Sequence, residues 1–252
     1  MKNLKIILIL AVFLIVSISS AFAENITIFD SNVYGSASSW YNRGDNPGED
    51  QEVEYYCIGT QAWDLEGFFL NGNTLSMVGG FNFDDGVYAG GRTYKSGDIF
   101  IDINGLDNGY EYAIKLNLDN NSSDYLKYYV YTIVAGTLND VTYVTTSNPW
   151  TYTPVVGELV TGAGGDFTLG KNTNYTMVYD YSTLTGGTHY ILDGIDLSFL
   201  GGGTTFTSHF TMECGNDNLM GSGTTVPEPA TLLLLGFGLV GLAGAGRKFK
   251  KE

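Results

Sequence analysis

Short runs of β-branched and aromatic residues, separated by turn-forming residues, dominate the middle of this chain. Residues 98–103 read Asp-Ile-Phe-Ile-Asp-Ile, so isoleucine occupies every second position. Such alternation is typical of a half-buried strand, because successive side chains point to opposite faces. Between the termini, no long stretch repeats apolar residues at the helical period. The pattern therefore predicts an all-β fold.

Further runs of the same kind predict the rest of the body. About ten such runs, with turns between them, predict a single jelly-roll-like β-sandwich over residues 24–214. Residues 215–225 are rich in Gly, Ser, Thr and Asn and predict a flexible stalk. The further predicted strands are 75–83, in two pieces joined at Gly79-Gly80, and then 128–134, 143–146, 175–181 and 190–200.

Residues 1–23 have the features of a signal peptide. Lys2 and Lys5 form a positive start, and a short apolar run follows. Ala21-Phe22-Ala23 then supplies the small residues that signal peptidase accepts before Glu24. The alternative is a retained N-terminal membrane anchor, which the short run and the adjacent cleavage site disfavour. We expect export through the inner membrane and cleavage by signal peptidase.

Residues 226–252 contain three parts in a fixed order. Val226-Pro227-Glu228-Pro229 is a rigid entry, and residues 230–246 are apolar and uncharged. As a helix these 17 residues span about 25 Å, slightly less than the ~30 Å hydrocarbon core of a bilayer. Because basic residues stay cytoplasmic, the body is expected to lie outside the inner membrane. The tail 247–252 carries the basic stop Arg247, Lys248, Lys250 and Lys251.

The order Pro227-Glu228-Pro229, apolar helix and basic tail resembles the PEP-CTERM sorting signal of Gram-negative bacteria. The same segment is also labelled an ice-binding protein C-terminal domain. The resemblance implies that an exosortase, a membrane cysteine protease, recognises the tripeptide and removes the helix. The membrane anchor would then be transient, and the protein would accompany exopolysaccharide at the cell surface or in the extracellular matrix. The alternative is a plain C-terminal tail anchor.

The body also resembles β-sandwich domains that precede this signal in other PEP-CTERM proteins. This likeness supports the architecture and names no ligand. The segments that carry it are 64–67, 75–83, 97–102 and 211–217.

Charge excludes one class of partner. The chain has 27 Asp and Glu against 12 Lys and Arg, a net charge of −15, and half of its basic residues lie in the two terminal segments. Such an acidic body repels nucleic-acid phosphates, so no nucleic-acid partner is expected. It suits a soluble extracellular protein, or one that collects divalent cations.

Two cysteines and two histidines are the rarest reactive side chains. Cys57 and Cys214 lie on runs whose other members face the core, and exported proteins usually pair an even number of cysteines. We predict a Cys57–Cys214 disulfide, with two inert buried thiols as the alternative. His189 and His209 are interpreted as ordinary surface histidines, because a zinc site needs more ligands than these.

One loop contains the side chains that calcium prefers. Asp102, Asn104, Asp107 and Glu111 lie within ten residues that also contain glycines. The spacing differs from that of an EF-hand, since Leu106 occupies a ligand position. The loop is therefore either a calcium site or, as these residues more often are, a plain hairpin turn. No other cofactor is expected.

Trp40 and Trp150 lie in loop-like contexts with Asn nearby, and we predict that they contact sugar. Core packing or loop anchoring is the alternative for such rings.

The expected role is that of a non-enzymatic cell-surface or matrix protein associated with exopolysaccharide or biofilm. One alternative is a polysaccharide-acting enzyme, whose paired carboxylates follow no sequence spacing. The other is a structural coat protein without a specific ligand.

Overall fold

The fold is described by a computed structural model over residues 23–28, 57–105, 109–172 and 188–227. Within these ranges the chain forms strands and three short 3₁₀ turns, which confirms the all-β prediction. None of the helices in the described ranges is long and apolar enough to cross a membrane. The predicted transmembrane helix and all of the signal peptide except Ala23 lie outside these ranges.

Fifteen strands are numbered in chain order across the described residues. The 3₁₀ turns are Gln61–Trp63, Thr145–Ser147 and Ser198–Leu200. The strands are β1 (Glu24–Asn25), β2 (Leu65–Asn71), β3 (Thr74–Gly79), β4 (Val87–Ala89), β5 (Arg92–Tyr94), β6 (Ile99–Asp102), β7 (Tyr112–Leu116), β8 (Lys127–Thr132), β9 (Thr137–Asn139), β10 (Thr151–Thr153), β11 (Leu159–Asp166), β12 (Thr168–Asn172), β13 (His189–Asp196), β14 (Thr205–Thr211) and β15 (Asn218–Thr224).

Two larger antiparallel sheets form the body. One has five strands in the order β1-β2-β3-β13-β12, and the other has six in the order β11-β8-β7-β6-β14-β15, counted over the described residues. Phe68 and Met77 from the first sheet and Ile101, Ile114 and Phe210 from the second are fully buried in one shared cluster. The core therefore lies between the two sheets, and the apolar face of each sheet is removed from water by the other.

Strand β6 is buried on both faces, although its sequence predicts a half-buried strand. Ile99 and Ile101 face the shared core, whereas Phe100 packs with Ala113 and Tyr152 in a separate cluster. Tyr152 belongs to β10, which pairs with β9 as a small two-stranded sheet. This sheet supplies an aromatic cover for the outer face of β6.

The N-terminal segment joins the two sheets. Glu24 and Asn25 pair with β2 of the five-stranded sheet. Thr27 then forms a bridge to Gly221 of β15, in the six-stranded sheet. The Ile26 carbonyl accepts a hydrogen bond from the Ser222 N–H at 2.8 Å. The first residues after the predicted cleavage site therefore contribute pairing to both halves of the fold.

The predicted stalk is wrong over most of its length, because residues 218–224 form β15. This strand pairs along its whole length with β14, from Thr205–Thr224 to Thr211–Asn218. A Cβ added at Gly221 would lie 3.0 Å from Phe68, and one at Gly223 would lie 3.1 Å from Phe206. The glycines there permit close packing on aromatic rings, whereas their composition alone indicates flexibility.

Two strand predictions are also corrected in part. Residues 143–146 overlap the 3₁₀ turn Thr145–Ser147 instead of forming a strand. In the run 75–83, β3 ends at Gly79 and residues 81–83 form no strand, while the chain at Gly80 passes so close to Gln61 that a Cβ there would lie 1.8 Å from its carbonyl oxygen. The predicted strand 175–181 lies outside the described residues.

Candidate functional site

A polar cleft of about 470 Å³ opens beside the N-terminal end of β6 and the segment leading into β10. Its volume lies within the ~300–1,000 Å³ usual for small-molecule sites. Aspartates outnumber lysines among the residues that line it, so the cleft has a net negative charge. The charged lining residues are Asp84, Asp85, Asp98, Asp119, Lys95 and Lys115.

An ion pair between buried Asp98 and partly exposed Lys115 belongs to the cleft lining. Lys115 Nζ lies 3.1 Å from Asp98 Oδ2 and donates to the Tyr152 carbonyl oxygen at 2.8 Å. The same Asp98 oxygen accepts the Tyr152 N–H at 2.8 Å. Burial raises the pKa of the Asp98 carboxyl, and the charge of Lys115 opposes that rise. These contacts join β7 and β10 to the residue that directly precedes β6.

Trp150 and Phe83 are the aromatic residues of the cleft lining, and Trp150 is the larger. Its carbonyl oxygen accepts the Asp98 N–H at 2.9 Å, and its N–H donates to the Asn139 carbonyl at 2.8 Å. Its indole Nε1 is a buried donor without a hydrogen-bond partner in the described structure. A Cβ at Gly97 would lie 2.4 Å from the Trp150 carbonyl oxygen and 2.9 Å from ring atom Cδ1. Gly97 therefore allows Trp150 to lie directly against β6.

The acidic rim is held in place by its own hydrogen bonds. Tyr125 Oη donates to Asp84 Oδ2 at 2.8 Å, and the Asp84 N–H donates to Asn82 Oδ1 at 3.1 Å. Asp119, also in the lining, accepts the Asn121 N–H through Oδ1 at 3.0 Å. Hydrogen bonds from the backbone and side chain of Asn121 lower the pKa of Asp119. Both rim carboxylates are thus oriented before any ligand arrives.

The segment that leads from Trp150 to β11 is fixed by one carboxylate. Glu158 Oε2 accepts Tyr152 Oη and the Val155 N–H, both at 2.7 Å. Its other oxygen accepts the N–H groups of Ala135 and Gly136 at 2.6 and 2.9 Å. Burial opposes the ionisation of Glu158, but these hydrogen bonds outweigh it and lower its pKa to about 2. The strand that follows Trp150 is therefore anchored to the neighbouring loop.

An aromatic ring beside oriented carboxylates and amides suits a hydroxyl-rich ligand. The apolar face of a sugar stacks on such a ring, while Asp and Asn accept and donate hydrogen bonds to hydroxyl groups. Of the two predicted sugar contacts, Trp150 lies in the cleft and Trp40 lies outside the described residues. The sequence reasoning missed Asp84, Asp98 and Lys115 as cleft residues. The signal available was the Asp84-Asp85-Gly86 turn.

The predicted calcium loop uses its oxygens for the turn itself. Asp102 Oδ1 accepts the N–H groups of Asn104 and Gly105 at 3.0 and 2.9 Å. Glu111 accepts the Ile103 N–H at 2.8 Å and the Asn104 side-chain amide. Asp107 lies outside the described residues. Among the described residues no group of three acidic, His or Cys side chains is placed to hold a metal, and calcium binding stays a prediction.

The structure brings the segments that carry the two cysteines together. The Ile58 N–H donates to Asn216 Oδ1 at 3.0 Å, and Asn216 Nδ2 donates to the Ile58 carbonyl at 3.1 Å. Within the described ranges Cys57 and Cys214 are not joined by a disulfide. Cys214 packs in the shared core, where burial raises its pKa to about 11. The disulfide stays a prediction, and its two segments are neighbours.

Both histidines are buried, so their interpretation as surface residues is wrong. His209 Nε2 lies 2.9 Å from the Pro149 carbonyl oxygen, and burial lowers its pKa to about 4. His189, in the other large sheet, lies 3.0 Å from Glu66 Oε1. The two histidines therefore occupy different sheets and do not meet in one site.

Comparison with known proteins identifies the C-terminal segment. Residues 225–248 match the family model of the PEP-CTERM protein-sorting motif. Neither a curated protein nor a solved structure is detectably similar to the chain. The match implies export, processing by an exosortase and sorting to the surface of a Gram-negative bacterium. Its description is that of a sorting motif, so the ice-binding label forms no part of what it implies. The sorting residues Glu228 and Pro229 and the four basic stop residues lie outside the described ranges, whereas Pro227 lies within them.

Proposed function

We propose, on the premise that this chain carries a PEP-CTERM sorting motif, that it is a non-enzymatic protein of the cell surface or matrix that binds exopolysaccharide. Signal peptidase would release its N-terminus, and the C-terminal helix would hold it in the inner membrane until an exosortase acts. The two sheets would form a single β-sandwich domain that carries the binding cleft outside the cell.

The observation that carries this proposal is the cleft itself. Trp150 lies beside an acidic rim whose members Asp84 and Asp119 are already oriented by hydrogen bonds. A polysaccharide presents repeated hydroxyl groups and apolar ring faces, which match these two kinds of surface. The geometry of the cleft supports polysaccharide binding, and the sorting motif supports a location at the cell surface.

The net negative charge of the cleft restricts the kinds of sugar that it would bind. Because aspartates outnumber lysines in the lining and Lys115 is paired with Asp98, a uronic acid or sulfated sugar would be repelled. Neutral sugars, or amino sugars that carry a positive charge, fit better. The preferred ligand is therefore a neutral or amino-sugar-containing polysaccharide.

Binding without catalysis is favoured by how Asp98 is held. A general acid in a glycosidase must offer its proton to the leaving oxygen, at a set distance from a second carboxylate. Asp98 Oδ2 instead contacts Lys115 and the Tyr152 N–H, and it links β7 to β10. Its contacts suit a structural role in the cleft lining.

The test is a titration of the host's own exopolysaccharide into the exported protein by calorimetry. Trp150→Ala should weaken binding about tenfold through the loss of ring stacking. Tyr88→Ala is the matched control, because Tyr88 is an aromatic residue 73% exposed and outside the cleft. Polysaccharide chain length, measured after long incubation, should not change.

Three results would contradict the proposal in different ways. Absence of binding by a folded protein would favour a coat protein without a ligand. Shortened polysaccharide chains would favour the enzyme. Equal binding by Trp150→Ala and Tyr88→Ala would place the site elsewhere. Repeating the titration with calcium and then chelator tests the loop Asp102–Glu111 separately.

A further inference from the structure

The residues at the start of the sorting motif are bound to the folded body. Thr225, directly after β15, is 1% exposed. Its N–H donates to the Thr204 carbonyl at 2.9 Å, and its own carbonyl accepts the Gly203 N–H at 2.8 Å. Its hydroxyl accepts the Thr204 N–H at 3.0 Å and donates to the Gly201 carbonyl. Residue 225, where the match to the sorting family begins, is thus part of the folded body.

Asn73 holds the next residue by both of its backbone groups. The Val226 N–H donates to Asn73 Oδ1 at 2.7 Å, and Asn73 Nδ2 donates to the Val226 carbonyl at 3.1 Å. Asn73 lies in the turn between β2 and β3, where its own carbonyl accepts the Leu197 N–H at 2.8 Å. Its side chain also donates to Ser198 Oγ at 3.2 Å. The amide is therefore held in the orientation that grips Val226.

The first residue of the tripeptide lies against a glycine. A Cβ at Gly202 would lie 2.3 Å from Pro227 Cα and 2.9 Å from Pro227 N. Any side chain at position 202 would push Pro227 away from the body. Asn73, the loop Gly201–Thr204 and the exit residues 225–227 together form what we call the exit clamp.

The exit clamp occupies backbone hydrogen-bonding groups that a protease would use to bind its substrate. An enzyme that binds its substrate as an extended strand pairs with the backbone N–H and C=O of residues near the motif. Asn73 already occupies both groups of Val226. From Val226 to the predicted apolar start at Ala230, four peptide units extend at most about 14 Å. While the chain is anchored, the folded body would therefore lie close to the membrane surface and crowd the motif.

We infer that the exit clamp withholds the sorting motif from exosortase, and that processing requires residues 225–227 to separate from Asn73 and the glycine loop. The inference rests on exosortase processing and does not depend on sugar binding. Opening the clamp breaks the two side-chain hydrogen bonds to Val226 and the hydrogen bonds that join Thr225 to the loop Gly201–Thr204, so the clamp sets the rate at which the precursor is converted.

The test follows conversion of the full chain in its host by pulse-chase labelling. Asn73→Ala should convert about thirtyfold faster, as expected for the loss of about two net hydrogen bonds. Gly202→Ala should also convert faster, because its Cβ displaces Pro227. Asn104→Ala is the control, since Asn104 is also a turn asparagine whose side-chain amide donates to one partner, Glu111, away from the exit. Resistance of the bodies to added protease verifies that each variant is folded.

Two further variants distinguish the exit clamp from other causes of a changed conversion rate. A short Gly/Ser insertion between Val226 and Pro227 should itself convert fast, and Asn73→Ala should add nothing in that background. A further acceleration there, or an Asn73→Ala chain no faster than Asn104→Ala, would overturn the clamp. The double change Pro227→Ala and Pro229→Ala should stay unconverted, and its conversion would show that the sorting premise fails.

Discussion

Replacing Gly97 with alanine tests the close approach between β6 and the cleft. The new Cβ would lie 2.4 Å from the Trp150 carbonyl oxygen and 2.6 Å from the Thr211 carbonyl oxygen. Both atoms belong to backbone, so neither yields by a side-chain rotation. Both oxygens also accept hydrogen bonds from this segment, at 2.9 Å from the Asp98 N–H and 3.1 Å from the Gly97 N–H. Overpacking of this kind costs about 1–3 kcal/mol, and a weakened hydrogen bond adds about 1 kcal/mol.

The expected loss is therefore about 3 kcal/mol in the free energy of unfolding, which for a body of this size lowers Tm by about 6–12 °C. Thermal melts and urea unfolding of the exported protein measure it. Gly170→Ala in β12 is the matched control, because its Cβ would meet Ile191 at an ordinary 3.6 Å. If the Gly97→Ala and Gly170→Ala chains have the same Tm, the close contact of Gly97 with the Trp150 and Thr211 carbonyl oxygens is refuted. Sugar binding should weaken as well, since Trp150 moves.

Three further predictions concern acid and oxidation. His209 has a folded pKa of about 4 against an ordinary 6.5, so stability should fall as the pH drops from 6.5 to 4. At about 1.4 kcal/mol per pH unit the loss in the free energy of unfolding is about 3.5 kcal/mol. Urea midpoints measured across this pH range report it, and a His209→Gln chain should lack this pH dependence. Glu158, with a folded pKa of about 2 against 4.5, should contribute stability above pH 4.5 that disappears as the pH falls toward 2. Glu158→Gln should lower Tm at neutral pH and flatten that acid dependence, and an unchanged Tm would contradict the role of the carboxylate. If Cys57 and Cys214 form a disulfide after export, the intact mass should be lower by two hydrogens. Reduction should then lower the free energy of unfolding by about 4–5 kcal/mol in the chain-entropy model. A mass that retains both thiol hydrogens would contradict the disulfide.

Local pattern predicted the strands better than it predicted their surroundings. Alternation over residues 98–103 identified β6, because strand geometry depends on neighbours in sequence. Its second buried face was not predictable, since the cover over Phe100 comes from Tyr152, far along the chain. Composition likewise misled at β15, where contact with Phe68 decides that Gly221 belongs to a strand.

The cleft was only partly readable from the sequence. Trp150 lies in a loop-like context with Asn148 nearby, which predicts a sugar contact, and the structure places it in the cleft. Asp98 and Lys115 carry no local signal, since their pairing depends on the antiparallel register of β6 and β7. The burial of His209 depends in the same way on Pro149, which approaches from another loop.

The bridge between the N-terminal segment and β15 has a consequence for how the protein matures. Because Thr27 faces Gly221 in an antiparallel bridge and the Ile26 carbonyl accepts the Ser222 N–H, the chain around Glu24 runs alongside the end of β15. The residues at the predicted signal-peptidase site, Ala23 and Glu24, and Pro227, the first residue of the tripeptide, thus lie at one end of the body. If both predicted terminal segments enter the membrane, a newly exported chain would be attached to it by both ends on that side of the body. Because β15 pairs with both β14 and Thr27, these pairings can form only after residues 218–224 have crossed the membrane.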